Sequence, residues 1–157
     1  MTKTHTLVAL VENKAGVLNR IASLFRRRRF NIESLTVGHS EKEGLSRMTI
    51  VVNEDTNVDQ VFRQMYKIVE VIKIKKLNEE KAIIRDLALV KIKLTPQTHA
   101  KILKNLKLFG GKIVKKNSKY LIAEICGQPE KIESFLDLVK DFGILEIART
   151  GATAVSS

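Results

Sequence analysis

The feature that most constrains this chain is that its apolar pattern runs through one six-element order twice within 157 residues. "THTLVALVE", ending at Glu12, reads as a buried strand. From Gly16, apolar residues at Leu18, Ile21, Ala22 and Phe25 make the one-sided stripe of a helix. "NIESLTVG" and "LSRMTIVVN" follow as strands joined by a turn at "HSEKEG". Val58, Val61, Phe62, Met65, Ile68 and Val69 form a second helical stripe, with Asp55, Thr56 or Asn57 available as its cap, and "EVIKIKKL" closes the series as a strand. The second half repeats the order. "DLALVKIKL" alternates Ala88, Val90, Ile92 and Leu94 against Lys91 and Lys93. A helix through Ile102, Leu103 and Leu106 stops at Gly110-Gly111, and "KIVKKN" and "KYLIAEIC" pair across Asn117-Ser118. Pro129 opens a helix that ends near Gly143, and "ILEIAR" is the last strand.

The order βαββαβ, taken twice, predicts an α+β chain of two tandem ferredoxin-like units, residues 1–78 and 79–157, meeting around "NEEKAIIR". In each unit both helices cover one sheet face. The other face, with Leu35, Val37 and Val51 in the first unit, and the sheet edges are expected to be open. Each half is small for independent stability, and open faces and edges invite burial against another chain. A homodimer is the expectation.

The net charge of +11 is spread evenly, with 14 basic and 8 acidic residues up to Asn78 and 14 and 9 beyond it. Arg26–Arg29 is the one dense cluster. It suits a solvated helix end, contact with an acidic partner, or nucleic acid. The last reading loses ground because aromatic residues are 5% of the chain and "RMTIVV" carries none on which bases could stack. His5, His39 and His99 are scattered, with no metal-ligand spacing, and Cys126, within "YLIAEICG", reads as a small buried apolar side chain. The apolar run Leu7–Val11 is too short for a signal core or membrane span, so the expected location is the cytoplasm, with no membrane partner. Glu12, Glu33 and Glu54 are spread as solvated charges usually are, and no nucleophile–base pair or cofactor loop stands out. Catalysis by this chain alone is not expected.

The loop "ENKAGVLNR" between the first strand and helix carries the sharpest chemistry. A helix start leaves N–H groups unpaired and carries partial positive charge, and Gly16 lets an anion approach them. Asn13 offers an amide for an ammonium, and Ala15, Val17 and Leu18 supply an apolar wall. The set fits a zwitterion with a small apolar side chain. It equally fits a helix start capped by Asn13, with Gly16 only relieving crowding. No dinucleotide or Walker phosphate loop is present.

"LVENKAGVLNRIASLFRRRRFNIESLTVG" followed by "LSRMTIVV" resembles the ACT domain of the small, regulatory subunit of acetolactate synthase (acetohydroxyacid synthase). Leu7–Val52 is the specific part, while "LVKI" and "EIARTG" resemble the family's second domain. The resemblance implies that a branched-chain amino acid, usually valine, binds between the ACT domains of two subunits. It implies a chain that stimulates a separate catalytic subunit and confers feedback inhibition on it. The ligand positions it implies are Asn13, Ala15, Gly16, Val17 and Leu18, with Asn31 and Ile32 from the second strand. Thiamine diphosphate, magnesium and FAD are implied only for the catalytic partner. Two positions depart from the family: Arg29 stands where glycine is common, so the backbone there is either strained or the helix longer, and Ala15 stands where proline or serine is frequent. A stand-alone ACT sensor acting on another system is the competing expectation; the second domain separates the two, since a free sensor has no need of it.

Overall fold

The computed structural model describes residues 3–157. Its first six elements are β1 (Thr4–Glu12), α1 (Val17–Arg27), β2 (Ile32–His39), β3 (Leu45–Asn53), α2 (Val58–Met65) and β4 (Val71–Lys76). The strands form an antiparallel sheet in the order β2-β3-β1-β4. After a single 3-10 turn at Glu79–Lys81 come β5 (Ala82–Lys93), α3 (His99–Leu108), β6 (Lys112–Lys116), β7 (Tyr120–Gly127), α4 (Pro129–Gly143) and β8 (Ile144–Arg149). These strands form a second antiparallel sheet in the order β6-β7-β5-β8, and a last strand, β9 (Thr153–Ser156), pairs with β5. The chain is α+β, with the ferredoxin-like order in both units.

The first core gathers Leu7, Ala9 and Val11 of β1 with Met48, Ile50 and Val52 of β3, under Ile21 and Phe25 of α1 and Val61 and Met65 of α2. The helical stripe is offset from the one the sequence suggests. Val17, Ile21, Leu24 and Phe25 face the sheet, while Leu18 is 49% exposed and Ala22 is exposed. Both sets have helical spacing and share Ile21 and Phe25, and packing on the sheet selects between them. α2 is capped by Asn57, whose Oδ1 accepts from the Gln60 N–H at 3.1 Å. It ends at Met65, so Val69, placed on the helical stripe by its spacing, lies past the helix and is 87% exposed. In the second unit Ala88, Val90 and Ile92 meet Leu121, Ala123 and Ile125 beneath Ile102, Leu106, Ile132, Phe135 and Val139, as the alternation of β5 predicts.

Three expectations are corrected. The face of the first sheet away from its helices is not open: Thr6, Val8 and Thr49 are buried on it, and of the residues expected there Leu35 and Val37 pair with the core residues Ile50 and Met48 and so lie on the helix side. The C-terminal segment bonds to this face, with the Ala152 N–H donating to Ser34 Oγ at 2.8 Å and Lys75 Nζ to Ser156 Oγ at 3.2 Å. The same segment changes the division of the chain. The part through Ile83 together with Ala152–Ser157 forms one compact unit and Ile84–Gly151 the other, rather than a single cut after Asn78. Cys126 is exposed, because it alternates with the buried Ile125 along β7 and so faces away from the helices.

α1 ends in a Schellman motif. The Arg29 N–H donates to the Arg26 carbonyl at 3.1 Å and the Phe30 N–H to the Phe25 carbonyl at 3.0 Å, with the Phe25 and Phe30 rings edge to face at 6.4 Å. Arg29 therefore occupies the left-handed position, φ 56°, alone among the described non-glycine residues. α3 ends with the same pair of bonds, Gly110 N–H to Lys107 and Gly111 N–H to Leu106, but with glycine, φ 66°, in the corresponding place. Arg29 is thus strained, and the helix is not extended. Relief of a left-handed penalty of ~1–2 kcal/mol, less the ~0.5–1 kcal/mol of chain entropy that glycine costs, makes Arg29→Gly stabilising by about 0.5–1 kcal/mol. A denaturant midpoint no higher than that of the parent chain would contradict this.

In the second unit Arg149 closes the corner between β5, β8 and α4. Its Nε donates to Asp86 Oδ2 at 2.7 Å, and it also pairs with Glu133. Asp86 is 4% exposed, and this guanidinium is the countercharge that offsets its burial. Arg149→Met is expected to cost about 2–4 kcal/mol, on the low side for a broken buried pair because the guanidinium is partly solvated. Glu133→Gln, at the exposed end of the corner, should change stability by less than ~1 kcal/mol in the same unfolding titration.

Candidate ligand-binding site

The β1–α1 loop is held from two sides. The Asn13 N–H donates to the Gly44 carbonyl in the β2–β3 turn at 2.8 Å, and the Glu12 N–H donates to the Glu70 carbonyl ahead of β4 at 2.8 Å. Gly16 is the helix N-cap, with φ 86° and no side chain capping the helix. A Cβ there would meet Arg20 Nη1 at an ordinary 3.5 Å, so the backbone turn and not crowding calls for glycine. Asn13 does not cap either. Its amide nitrogen, which can only donate, lies 3.4 Å from His39 Nδ1. The Val17 N–H donates to the Lys14 carbonyl at 3.4 Å, and no side chain caps the Leu18 and Asn19 N–H groups that follow in the exposed first turn of α1.

The rim is charged and internally paired. Lys14 meets Glu12 at 2.8 Å, and Arg20 meets Glu70. The hydrogen bond and charge of Glu12 raise the Lys14 pKa, while in the β2–β3 turn the hydrogen bond from Arg47 lowers that of Glu41. These charges are satisfied by one another, and the helix start, with no side-chain cap, is the feature of the loop on which an anion could be held.

The residues suggested by the sequence do not all gather in one chain. Asn13, Ala15, Gly16 and Leu18 share an exposed corner. Val17 is buried in the core and forms no part of an accessible wall. Asn31, exposed and donating to Glu33 Oε1 at 2.7 Å, and Ile32, packed against the core, lie at the far end of the sheet. Ile32 pairs with Val52, which pairs with His5, eight residues before Asn13. At ~3.3 Å per residue that is a separation of about 25 Å. Arg26–Arg29, all exposed, stand at the Asn31 end of α1. His39 and Gly44 hold the loop, and nothing in their sequence spacing marks them; only the hairpin brings them there. A separate cleft of about 440 Å³, lined by Thr4, His5, Lys76, Leu77, Asn78 and Glu79, lies at the opposite end of β1. Among the described residues no three His, Cys, Asp or Glu side chains gather as a metal site.

Comparison with known proteins assigns the family. Residues 7–73 match the model of the "AHAS small subunit-like ACT domain", and residues 85–157 match that of the "small subunit of acetolactate synthase". The chain is 45% identical over 156 residues to the acetolactate synthase small subunit of Mycolicibacterium smegmatis, covering 99% of this chain and 92% of that protein. It is 45% identical over 152 residues to a probable acetolactate synthase small subunit of Archaeoglobus fulgidus, covering 96% and 95%. The crystal structure of the Thermotoga maritima small subunit superposes with a TM-score of 0.91 at 39% identity, covering 99% of this chain and 98% of that one. The chain belongs to the small-subunit family of acetolactate synthase, with an ACT domain as its first unit.

Proposed function

We propose that this chain is the regulatory subunit of an acetolactate synthase. It binds a branched-chain amino acid, valine foremost, between the ACT domains of two copies, stimulates the catalytic subunit, and makes that subunit subject to feedback inhibition. Chemistry stays with the catalytic chain, to which thiamine diphosphate, magnesium and FAD are assigned, and the assembly works in the cytoplasm. Among the described residues no helix is long and apolar enough to cross a membrane.

The observation that carries this reading is the separation of Asn13–Leu18 from Asn31–Ile32. No one amino acid spans about 25 Å, so the two groups can share a ligand only if different copies supply them. β2 offers a route, since it is an outer strand of its sheet. Asn13 touches His39 at the C-terminal end of β2, and Ile32 begins the strand. Antiparallel pairing of β2 with the same strand of a second copy would bring the partner's Asn31 and Ile32 beside the Asn13 loop. The ligand carboxylate then meets the α1 start, its ammonium meets the Asn13 oxygen and the partner's Asn31, and its methyls meet Leu18 and the partner's Ile32. A ligand held by both copies favours the dimer packing that holds it, which is a direct route to quaternary control. Valine and leucine differ by one methylene, so the preference between them is expected to be about 5–150-fold at most.

Calorimetric titration with L-valine should give saturable heat at one valine per chain, absent with D-valine. Gly16→Asp puts a carboxylate, on a disfavoured backbone, where the ligand's own belongs, and should abolish the heat. Normal binding by this variant would sink the assignment. A two-copy site makes a further prediction. Gly16→Asp and Asn31→Ala should each fail alone, yet an equal, re-equilibrated mixture should recover about a quarter of the parent's sites, because mixed dimers keep one intact pair. No recovery would mean that each site lies within one copy.

A further inference from the structure

We infer that Arg26–Arg29 form a docking surface for an acidic face of the acetolactate synthase catalytic subunit, and that Arg29 keeps its strained backbone to serve it. This rests on the regulatory reading above. Two independent costs fall at one place, and nothing within the chain offsets them. The first is electrostatic. Four like charges crowd the last turn and end of α1, all exposed, and none has a carboxylate within ion-pair distance among the described residues. Arg20, Arg47 and Arg149, by contrast, each pair with at least one carboxylate. The negative end of a helix offsets a charge or two within its last turn, which leaves most of this cluster uncompensated. The second cost is conformational. Arg29 holds the left-handed position that the equivalent corner of the second unit gives to Gly110. The Schellman bonds hold this backbone, but they would hold glycine equally well, so an arginine kept there, with no ion pair to its side chain among the described residues, points to a gain made outside the chain.

The chemistry of the cluster selects the partner. Guanidinium forks bind carboxylates in bidentate fashion, and a compact group of them steers association with an oppositely charged surface. The run supplies four of the 14 basic residues against 8 acidic ones in residues 1–78, so that without it this stretch is close to neutral. That is a focused contact rather than the basic stripe that tracks a nucleic-acid backbone. Its equivalent on α3 carries Lys107 alone in the last turn, so the cluster belongs to the first unit and is not a by-product of the repeat.

The test uses the full chain and the catalytic subunit of its own organism's synthase, with affinity measured at about 0.05 and about 0.5 M salt, where screening differs widely. The triple variant Arg26→Glu, Arg27→Glu, Arg28→Glu should bind at least tenfold more weakly at low salt, and the gap should close at high salt. Lys101→Glu, Lys104→Glu, Lys107→Glu makes the same change of charge on α3 and should stay within threefold of the parent. Arg29→Gly should raise the melting temperature while weakening association severalfold, and Arg29→Lys should retain most of the association. A merely solvated helix end predicts the rise in melting temperature with association unchanged, and that result would overturn the inference. So would equal loss in the α3 variant, loss of valine heat in the triple variant, or salt-sensitive binding of a random oligonucleotide that the triple variant abolishes. If the parent chain neither binds nor stimulates the catalytic subunit, the regulatory reading fails as well. If it does both and the arginine variants match it, only this inference fails.

Discussion

Strand β1 is the constraint on which the first unit depends. It runs between β3 and β4, bonded to both, and presents Leu7, Ala9 and Val11 to the helices with almost no solvent exposure. A strand bonded on both edges and buried on its core face has one usable register, because a one-residue slip would turn its core set outward. The end of β1 is therefore fixed, and the β1–α1 loop inherits that position. Glu12 is tied to Glu70 and Asn13 to Gly44 through backbone bonds, so the approach of the chain to α1 is set by the sheet. Gly16 then turns the chain through a left-handed conformation and leaves the first N–H groups of the helix without a side-chain cap. This is the support on which the proposed ligand site rests.

The two units share an architecture and differ in their helix ends, sheet faces and corners. Both first helices end in Schellman bonds, with glycine in the second and arginine in the first. The first unit takes the C-terminal segment onto the face away from its helices, through Ser34 and Lys75. The second keeps Leu89 partly exposed on its corresponding face and secures one corner with a buried carboxylate under Arg149. Such a pair contributes little net stability over an apolar substitute, yet removing one member leaves a charge stranded. Its main effect is to define how β5, β8 and α4 meet.

Much of this could be read from the residues alone. The repeated order of strands and helices follows from period-2 and period-3.6 apolar spacing, which is local and survives without knowledge of neighbours. The α2 cap within Asp55–Asn57, which the structure resolves to Asn57, the Gly110 stop and the Pro129 start are local chemistry too. The motif around Gly16 carries the family resemblance that the family model matches, whereas its left-handed turn is a finding of the structure, where the sequence suggested anion approach or relief of crowding. Where two helical stripes overlapped, as with Leu18 and Ala22 against Val17 and Leu24, spacing could not choose, and packing on the sheet did. Cys126 was misjudged for a similar reason, since an apolar run does not say which of two adjacent residues faces the core.

What the sequence determined by itself is the order of elements and most of the strand residues of the two cores, because each depends on contacts within a few residues or on a strict period. Only the tertiary structure decided that Asn13 is held by His39 and Gly44, that the last six residues rejoin the first unit, and that Asn31 lies about 25 Å from the loop it was expected to assist. Those facts depend on strand order and register, which bring together residues far apart in the chain and separate residues that a shared motif suggests are near.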